Sequence, residues 1–345
     1  MIINDRFNNN YDFLRVFAAL CITFTHSFGL LGSYNKEYLV VLSGQRADFA
    51  YIGLSIFFSI SGYLIAKSVF TSTSFKNYLW KRFLRIQPLL IIVCFFSIFI
   101  LGLVFTSLSV MNYFENISSY TYFRNIMPVF GIQYSLPGVF RNNIGSTSIN
   151  GSMWTLVVEE RLYLFVGILF LTKRKKRNLF LWLVGILNII YFLNNFFFHK
   201  QLLNYLNGIN VFYALIFLNA SCCFLLDIKF SKISGSAVII LGIIGLLFLA
   251  FYMRFNESML VLIIPFLVII TAHIKGLLNY VGKYGDFTYG IYIFSFPIQQ
   301  ILIALKLTDD PLKLFFLTLL IVLPLAIVSW HLVEKKMLLL KEKVR

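Results

Sequence analysis

An arginine and a histidine stand eleven residues apart in the otherwise apolar stretch DFLRVFAALCITFTHSFGLL near the start of the chain. On a helix, Arg15 and His26 would lie about 16 Å apart along the axis and on one face, since eleven residues make about three turns. An ionisable group inside a membrane span is costly and usually faces a cavity or a partner. The pair indicates a route from the inner surface into the membrane. Alternatively, Arg15 is a snorkelling anchor and His26 a structural hydrogen-bonding residue.

A second basic pair lies in the segment KRFLRIQP, where Arg82 and Arg85 are three residues apart. That spacing puts them one helical turn apart on one face. The planar fork of a guanidinium matches the oxygens of a phosphate group. The two arginines are therefore candidates for binding an anionic ligand, although basic residues at the inner end of a span also serve simply to anchor it.

Two adjacent carboxylates, Glu159 and Glu160, are followed by Arg161 in the apolar segment WTLVVEERLYLF. Charges of this kind inside an apolar helix are hard to explain as anchors. Glu159 shares a helix face with Tyr163, four residues further on. Because Glu159 and His26 have a similar predicted depth, a histidine–carboxylate pair is plausible. An ion pair of either glutamate with Arg161 is the alternative.

The composition places these groups in a membrane. The chain of 345 residues is 59% hydrophobic and 13% charged, and its mean hydropathy is +0.82. Apolar runs long enough to cross a bilayer recur from end to end. We therefore predict an all-α, polytopic integral membrane protein with about ten transmembrane helices, near residues 13–31, 49–70, 86–106, 154–172, 178–197, 207–227, 233–253, 257–274, 286–305 and 312–333.

The distribution of charge predicts the orientation of these spans. With a cytoplasmic N-terminus, about 21 lysines and arginines fall on the inner side and about 8 on the outer side, as the positive-inside rule requires. Both termini are then cytoplasmic. The net charge of +16 indicates contact with anionic lipid, not nucleic acid. We expect a single domain over residues 1–345, with a basic cytoplasmic tail at 334–345.

The long connection 107–153 is predicted to lie on the extracytoplasmic side. Structureless loops of this length are uncommon and are often functional. Its aromatic residues could stack on sugar rings or could be ordinary interfacial aromatics; they are Tyr113, Tyr120, Tyr122, Phe123 and Tyr134. The four cysteines show no metal-ligand spacing, so no metal site is expected.

Five segments in order resemble the acyltransferase 3 family of membrane-integral acyltransferases, and more narrowly its bacterial surface-polysaccharide O-acetyltransferases. They are DFLRVFAALCITFTHSF, IGLSIFFSISGYLIAKS, KRFLRIQP, the stretch leading into WTLVVEERLY, and GDFTYGIYIFSFP. Many members have a histidine where this chain has Ser295, which argues against a two-histidine scheme here.

The resemblance implies transfer of an acetyl or other acyl group from cytoplasmic acetyl-CoA to a hydroxyl at the membrane. His26 would be the catalytic histidine and Glu159 its acidic partner. Three arginines would bind the phosphates of the donor, namely Arg15, Arg82 and Arg85. Further candidate substrate contacts are Asn150, Trp154, Arg161 and Tyr163. Acetyl-CoA would be a substrate, and no permanently bound cofactor is expected.

Histidine suits the removal of a proton from an attacking sugar hydroxyl. A covalent acyl-histidine or acyl-serine intermediate is the alternative route. The expected acceptor is a cell-surface polysaccharide or its lipid-linked precursor, such as O-antigen, capsule or exopolysaccharide, and the expected location is the bacterial inner membrane. There are two alternatives. The enzyme could acylate a small molecule or a lipid, or the protein could be a non-enzymatic glycan flippase or polymerase.

Overall fold

The computed structural model describes residues 9–171, 177–197, 208–227, 257–274 and 277–342. Within these ranges the chain is built of helices, and its β-structure is a single bridge between Thr106 and Val139. The nine long helices of the described ranges are α1 (Tyr11–Leu30), α2 (Phe49–Thr71), α3 (Phe75–Phe96, extended by a π-helical turn to Phe105), α4 (Trp154–Leu171), α5 (Arg177–Phe196), α6 (Gly208–Leu225), α7 (Glu257–His273), α8 (Thr288–Ala304) and α9 (Pro311–Ser329, extended by a π-helical turn to Lys341).

The predicted all-α class is confirmed, and nine of the ten predicted spans coincide with these helices. The tenth, near 233–253, lies outside the described residues. Five of the described helices are long and apolar enough to cross a membrane, namely α1, α2, α3, α5 and α9. Three more, α6, α7 and α8, are apolar but shorter. The number of ten crossings and the cytoplasmic position of both termini stay predictions.

Helix α3 begins at Phe75, well before the predicted start of its span at residue 86. The side chain of Ser74 caps this end, because its Oγ accepts a hydrogen bond from the N–H of Asn77 at 3.1 Å. Arg82 and Arg85 therefore lie within the helix and not at its first turn. The hydropathy pattern missed this start because the first turns of α3 are polar and basic.

The chain forms two compact units, each assembled from three segments. The first contains Met1–Ala18, Tyr38–Tyr78 and Arg161–Tyr284. The second contains Ala19–Glu37, Leu79–Glu160 and Gly285–Arg345. Three of the five boundaries fall within α1, α3 and α4, so these helices contribute residues to both units.

In the first unit, α2 packs closely on α6 at a small residue. A Cβ atom at Gly62 would overlap the backbone of Phe217, and the hydroxyl of Ser221 donates to the carbonyl of Gly62 at 2.9 Å. Small residues that let two backbones approach are typical of helix contacts in membranes. Polar contacts add to this packing, since Asn188 on α5 and Asn219 on α6 exchange two hydrogen bonds, at 2.8 and 3.0 Å.

In the second unit, α8 is the central helix, because fourteen of its seventeen residues are buried. It packs on α9 where a Cβ at Gly290 would lie 2.9 Å from the Cα of Ala326. The predicted outer loop contributes to the core of this unit. Tyr113 and Tyr122 are fully buried beside α3, so these two tyrosines pack in the core and are not available to stack on a sugar.

The contact at Gly62 predicts a matched pair of stability effects. Replacing Gly62 with Ala forces α2 and α6 apart and should destabilise the protein by about 1–3 kcal/mol. Gly185 on α5 is also helical but has open space around it, so Gly185→Ala should leave stability unchanged or raise it by up to about 1 kcal/mol. The melting temperatures of the two detergent-solubilised variants measure this. Equal melting temperatures would show that the α2–α6 contact does not depend on glycine.

Candidate active site

A cavity of about 280 Å³ opens beside His26 in the second unit. Helices α1 and α8 form part of its wall. The rest comes from the segment before α4, between Tyr134 and Gly151. Apart from the imidazole, the polar side chains of the lining all carry hydroxyl groups; they are Thr25, Tyr134, Ser146 and Ser148. The cavity therefore combines one potential base with several groups that can donate and accept hydrogen bonds.

The imidazole of His26 is held mainly by an aromatic contact. Its ring lies edge-on to Phe296 of α8, with centroids 5.1 Å apart and planes at 80°. Its Nδ1 is buried and has no hydrogen-bond partner among the residues that the structure describes. The structure thus brings the predicted catalytic histidine to a cavity but does not bring Glu159 onto this nitrogen. The histidine–carboxylate pair stays a prediction.

The wall formed by the segment before α4 is held by Gln300, a fully buried residue of α8. Its Nε2 donates to the carbonyls of Ser146 and Ser148, at 2.8 and 2.7 Å. Asn143 in turn donates to the Oε1 of Gln300 at 2.9 Å. At Gly145 the wall touches the end of α1 so closely that a Cβ would overlap the carbonyl of Leu30. One amide side chain and one glycine therefore shape this side of the cavity.

Polar residues of α8 also fix the half of α1 that carries His26. Thr23 donates to the Oγ of Ser295 at 3.0 Å. Gln299 donates to the carbonyl of Thr23 at 2.9 Å and to the Oγ of Ser27 at 2.7 Å. Ser295 thus faces α1 one turn from His26. Here it bonds to the helix and is not in the lining of the cavity.

Of the two glutamates on α4, Glu160 is the more deeply buried, with 8% of its surface exposed. Its Oε1 accepts from Gln87 on α3 at 2.5 Å, and its Oε2 accepts from the backbone N–H of Val129 at 2.8 Å. These bonds connect α3, α4 and the long loop within the second unit. The alternative of an ion pair between either glutamate and Arg161 stays a prediction. Glu159 is half-buried, within electrostatic reach of the Tyr292 hydroxyl.

The predicted phosphate-binding arginines lie in different units. Arg82 and Arg85 are partly buried on α3 in the second unit. Arg85 forms an ion pair with Asp286, 2.6 Å from its carboxylate, and that carboxylate is 7% exposed. Arg15 belongs to the first unit, where one of its guanidinium nitrogens lies 3.8 Å from Asp12. Arg85 therefore has a structural partner in addition to any role in ligand binding.

The remaining predicted substrate contacts are also divided between the units. Asn150 is 1% exposed and caps the turn before α4, since its Oδ1 accepts from Ser152 and its Nδ2 donates to Ile293. Trp154 is the first residue of α4. Arg161 and Tyr163 belong to the first unit, where the Tyr163 ring packs 6.3 Å from Phe217. Their contact with substrate stays a prediction.

Several residues of the site gave little or no signal in the sequence. Gln300 looks like an ordinary polar residue near a helix end, and Ser146 and Ser148 look like loop serines. Glu37 is fully buried, and its Oε2 lies 3.4 Å from the hydroxyl of Thr25. Among the residues that line the cavity, Tyr134 is one of the loop aromatics that the sequence predicted as possible sugar contacts. Within the described ranges, no group of His, Cys, Asp and Glu side chains is placed to hold a metal ion.

Comparison with known proteins identifies the class. The profile of the family described as Acyltransferase domain matches residues 8–331. The chain is 28% identical over 340 residues to the O-acetyl transferase of Shigella phage Sf6, covering 96% of each protein. It is 30% identical over 167 residues to Nodulation protein 10 of Rhizobium leguminosarum bv. viciae, covering 47% of this chain and 44% of that protein. No solved structure matches the chain.

The protein therefore belongs to the acyltransferase family that the sequence motifs predicted, and it is an O-acyltransferase. The alternative of a non-enzymatic flippase or polymerase is not supported. The cavity beside His26 brings together an imidazole and hydroxyl groups, as O-acyl transfer needs.

The two glutamates of α4 should respond differently to replacement by glutamine. In Glu160→Gln, one accepting oxygen becomes an NH₂ group facing a donor, which should cost about 1–3 kcal/mol of stability. Glu159→Gln should keep the fold and lose acyl transfer, if Glu159 assists His26. The measurement is melting temperature together with acetate transferred per mole of inserted protein. A stable, fully active Glu159→Gln enzyme would remove Glu159 from the chemistry.

Proposed function

We propose that the protein transfers an acetyl group from cytoplasmic acetyl-CoA to a hydroxyl of a cell-surface polysaccharide or of its lipid-linked precursor, such as O-antigen, capsule or exopolysaccharide. The observation that carries this proposal is the imidazole of His26 in a cavity with hydroxyl-bearing walls. The similarity to a phage O-acetyl transferase over nearly the whole chain supports acetyl as the transferred group. The apolar helices support a location in the bacterial inner membrane.

In the proposed reaction His26 acts as the general base. It takes the proton of the acceptor hydroxyl as that oxygen attacks the carbonyl carbon of the thioester. The C–S bond then breaks, the ester remains on the acceptor, and the imidazolium returns the proton to the departing thiolate of CoA. Edge-on packing of the ring against Phe296 and the hydrogen bonds between Thr23 and α8 keep α1 and the ring in place during these steps.

The size and the chemistry of the cavity favour a single sugar ring as the part of the acceptor that enters. Its volume of about 280 Å³ is at the lower end of the range for small-molecule sites. A sugar ring carries several hydroxyl groups, which can pair with those of Ser146, Ser148 and Thr25. Partial burial raises the pKa of Tyr134 above its ordinary value, so this residue stays neutral and can donate a hydrogen bond.

The donor would approach with its phosphates on the arginines and its thioester at His26. The separation of about 16 Å between Arg15 and His26 along α1 suits an extended pantetheine arm. Arg82 and Arg85 add two guanidinium groups in the unit that carries His26. In this scheme Glu159 stabilises the imidazolium, and Asn150, Trp154, Arg161 and Tyr163 contact the substrates.

Removing the base should abolish the reaction. His26→Gln keeps a polar side chain of similar size but cannot accept the proton, and loss of a general base typically lowers the rate by about 10²–10⁴-fold. The measurement is acetate released by alkali from the surface polysaccharide, per mole of inserted protein. His331→Gln, at an exposed histidine of α9, is the control and should be active. Acetylation at the wild-type rate by His26→Gln would refute the proposal.

A second experiment with the same variants assigns the acceptor. With radiolabelled acetyl-CoA and inverted membrane vesicles, label should enter the glycan or lipid-linked glycan fraction. Label confined to a small-molecule or phospholipid fraction, dependent on His26, would support the alternative acceptors instead.

The arginines of α3 should act on the donor more than on the acceptor. Arg82→Ala should raise the KM for acetyl-CoA by about 10- to 150-fold, since a charge-assisted phosphate contact is worth about 1.5–3 kcal/mol. Arg85→Ala should in addition lower stability, because it leaves the buried carboxylate of Asp286 without its ion pair. Steady-state kinetics in both substrates and melting curves separate the two effects. If Arg82→Ala has an unchanged KM for acetyl-CoA, Arg82 serves only to anchor the inner end of the helix.

A further inference from the structure

The extension of α9 brings the C-terminal tail onto the start of α3 within the second unit. Helix α9 continues through a π-helical turn at Trp330–Glu334 and reaches Lys341. There the indole N–H of Trp80 lies 3.4 Å from the carbonyl of Leu340, close enough for a weak hydrogen bond. The tail therefore has a defined position beside the basic segment that begins with Lys81.

Lys341 joins three cations of α3 at this position. It lies within electrostatic reach of Lys81, Arg82 and Arg85. All four side chains are half-buried. In contrast, Lys76, Lys335 and Lys336 are exposed, as expected for residues that anchor helix ends in water and lipid headgroups.

The cations of this cluster act on one another, since Lys81, Arg82 and Arg85 each disfavour the positive charge of Lys341. Asp286 is the carboxylate that acts on Lys341, and it already forms an ion pair with Arg85. Glu334 is buried near Arg85 and accepts a hydrogen bond from Ser329 at 3.0 Å. Cations placed this close together repel one another, and partial burial strengthens that repulsion. A bound anion would relieve it.

We propose that Lys341, together with Lys81, Arg82 and Arg85, forms a binding site for the phosphate groups of the acyl-CoA donor. This inference rests on the proposed function and adds the C-terminal tail to it. Arginine forks and a flexible lysine ammonium suit a ligand with several phosphates. Anionic lipid headgroups offer the same phosphate chemistry. The nucleotide is favoured because the four side chains are half-buried in the unit that carries His26.

The experiment measures binding of radiolabelled CoA to the full-length protein in phosphatidylcholine nanodiscs. Lys341→Gln should raise the Kd for CoA by about 10- to 150-fold, as expected for one lost charge-assisted contact. Lys341→Met, which keeps the length of the side chain without its charge, should do the same, and Lys341→Arg should bind like the wild type. Pantetheine, which has no phosphate, should compete equally well in wild type and in Lys341→Gln. Lys336→Gln is the matched control and should not change the Kd.

Each contrary outcome has a distinct meaning. If the wild type does not bind CoA at all, the proposed donor is wrong. If the wild type binds CoA and both Lys341→Gln and Lys341→Met bind it equally well, only the role of the tail is wrong. An equal loss of affinity for CoA and pantetheine would indicate a structural role and also overturn the inference. Phosphatidylglycerol retained by the detergent-solubilised protein is measured in parallel. Less retained lipid in Lys341→Gln than in the wild type, at unchanged CoA affinity, would assign the cluster to lipid headgroups.

Discussion

Hydrogen bonds from α8 are the interactions on which the second unit depends. Polar side chains along this helix bond to several different neighbours. Tyr289 donates to the carbonyl of Ile86 on α3, Tyr292 bonds to Thr155 on α4, and Gln299 bonds to α1. Gln300 then holds the wall of the cavity. Polar groups inside an apolar bundle have few other partners, although each such bond contributes only about 0.6 kcal/mol on average. Their combined effect is to fix which segments meet.

The same bonds explain how an apolar protein can maintain a polar reaction site. The imidazole of His26 gains its position from the helix that carries it and from Phe296, while the bonds of Thr23 and Ser27 to α8 fix that helix. The glycine at 145 lets the wall approach the end of α1. The cavity is therefore a consequence of the packing around α8, and the reactive side chain does not need a hydrogen bond of its own to be oriented.

The sequence predicted the features that depend on spacing along one helix. Arg15 and His26 on α1, and the extent of most helices, follow from the 3.6-residue period and from apolar length. The start of α3 did not follow, because the cap at Ser74 and the basic first turns are invisible to hydropathy. The partners of Glu160, the role of Gln300 and the place of Lys341 also did not follow. Each of them depends on a contact between residues far apart in the chain, and spacing within a single sequence does not encode such contacts. Family motifs pointed to the right segments, but not to the cavity that the loop forms with α1.

The central claim is that the imidazole of His26 removes the acceptor proton inside this cavity, and chemical rescue tests it most directly. His26→Ala would enlarge the cavity by the volume of the missing ring, so that free imidazole could enter and act as the base. We expect His26→Ala to be inactive without imidazole and to regain acetyl transfer in proportion to added imidazole, with no effect of imidazole on the wild type. Transfer at the wild-type rate by His26→Ala in the absence of imidazole would contradict the claim.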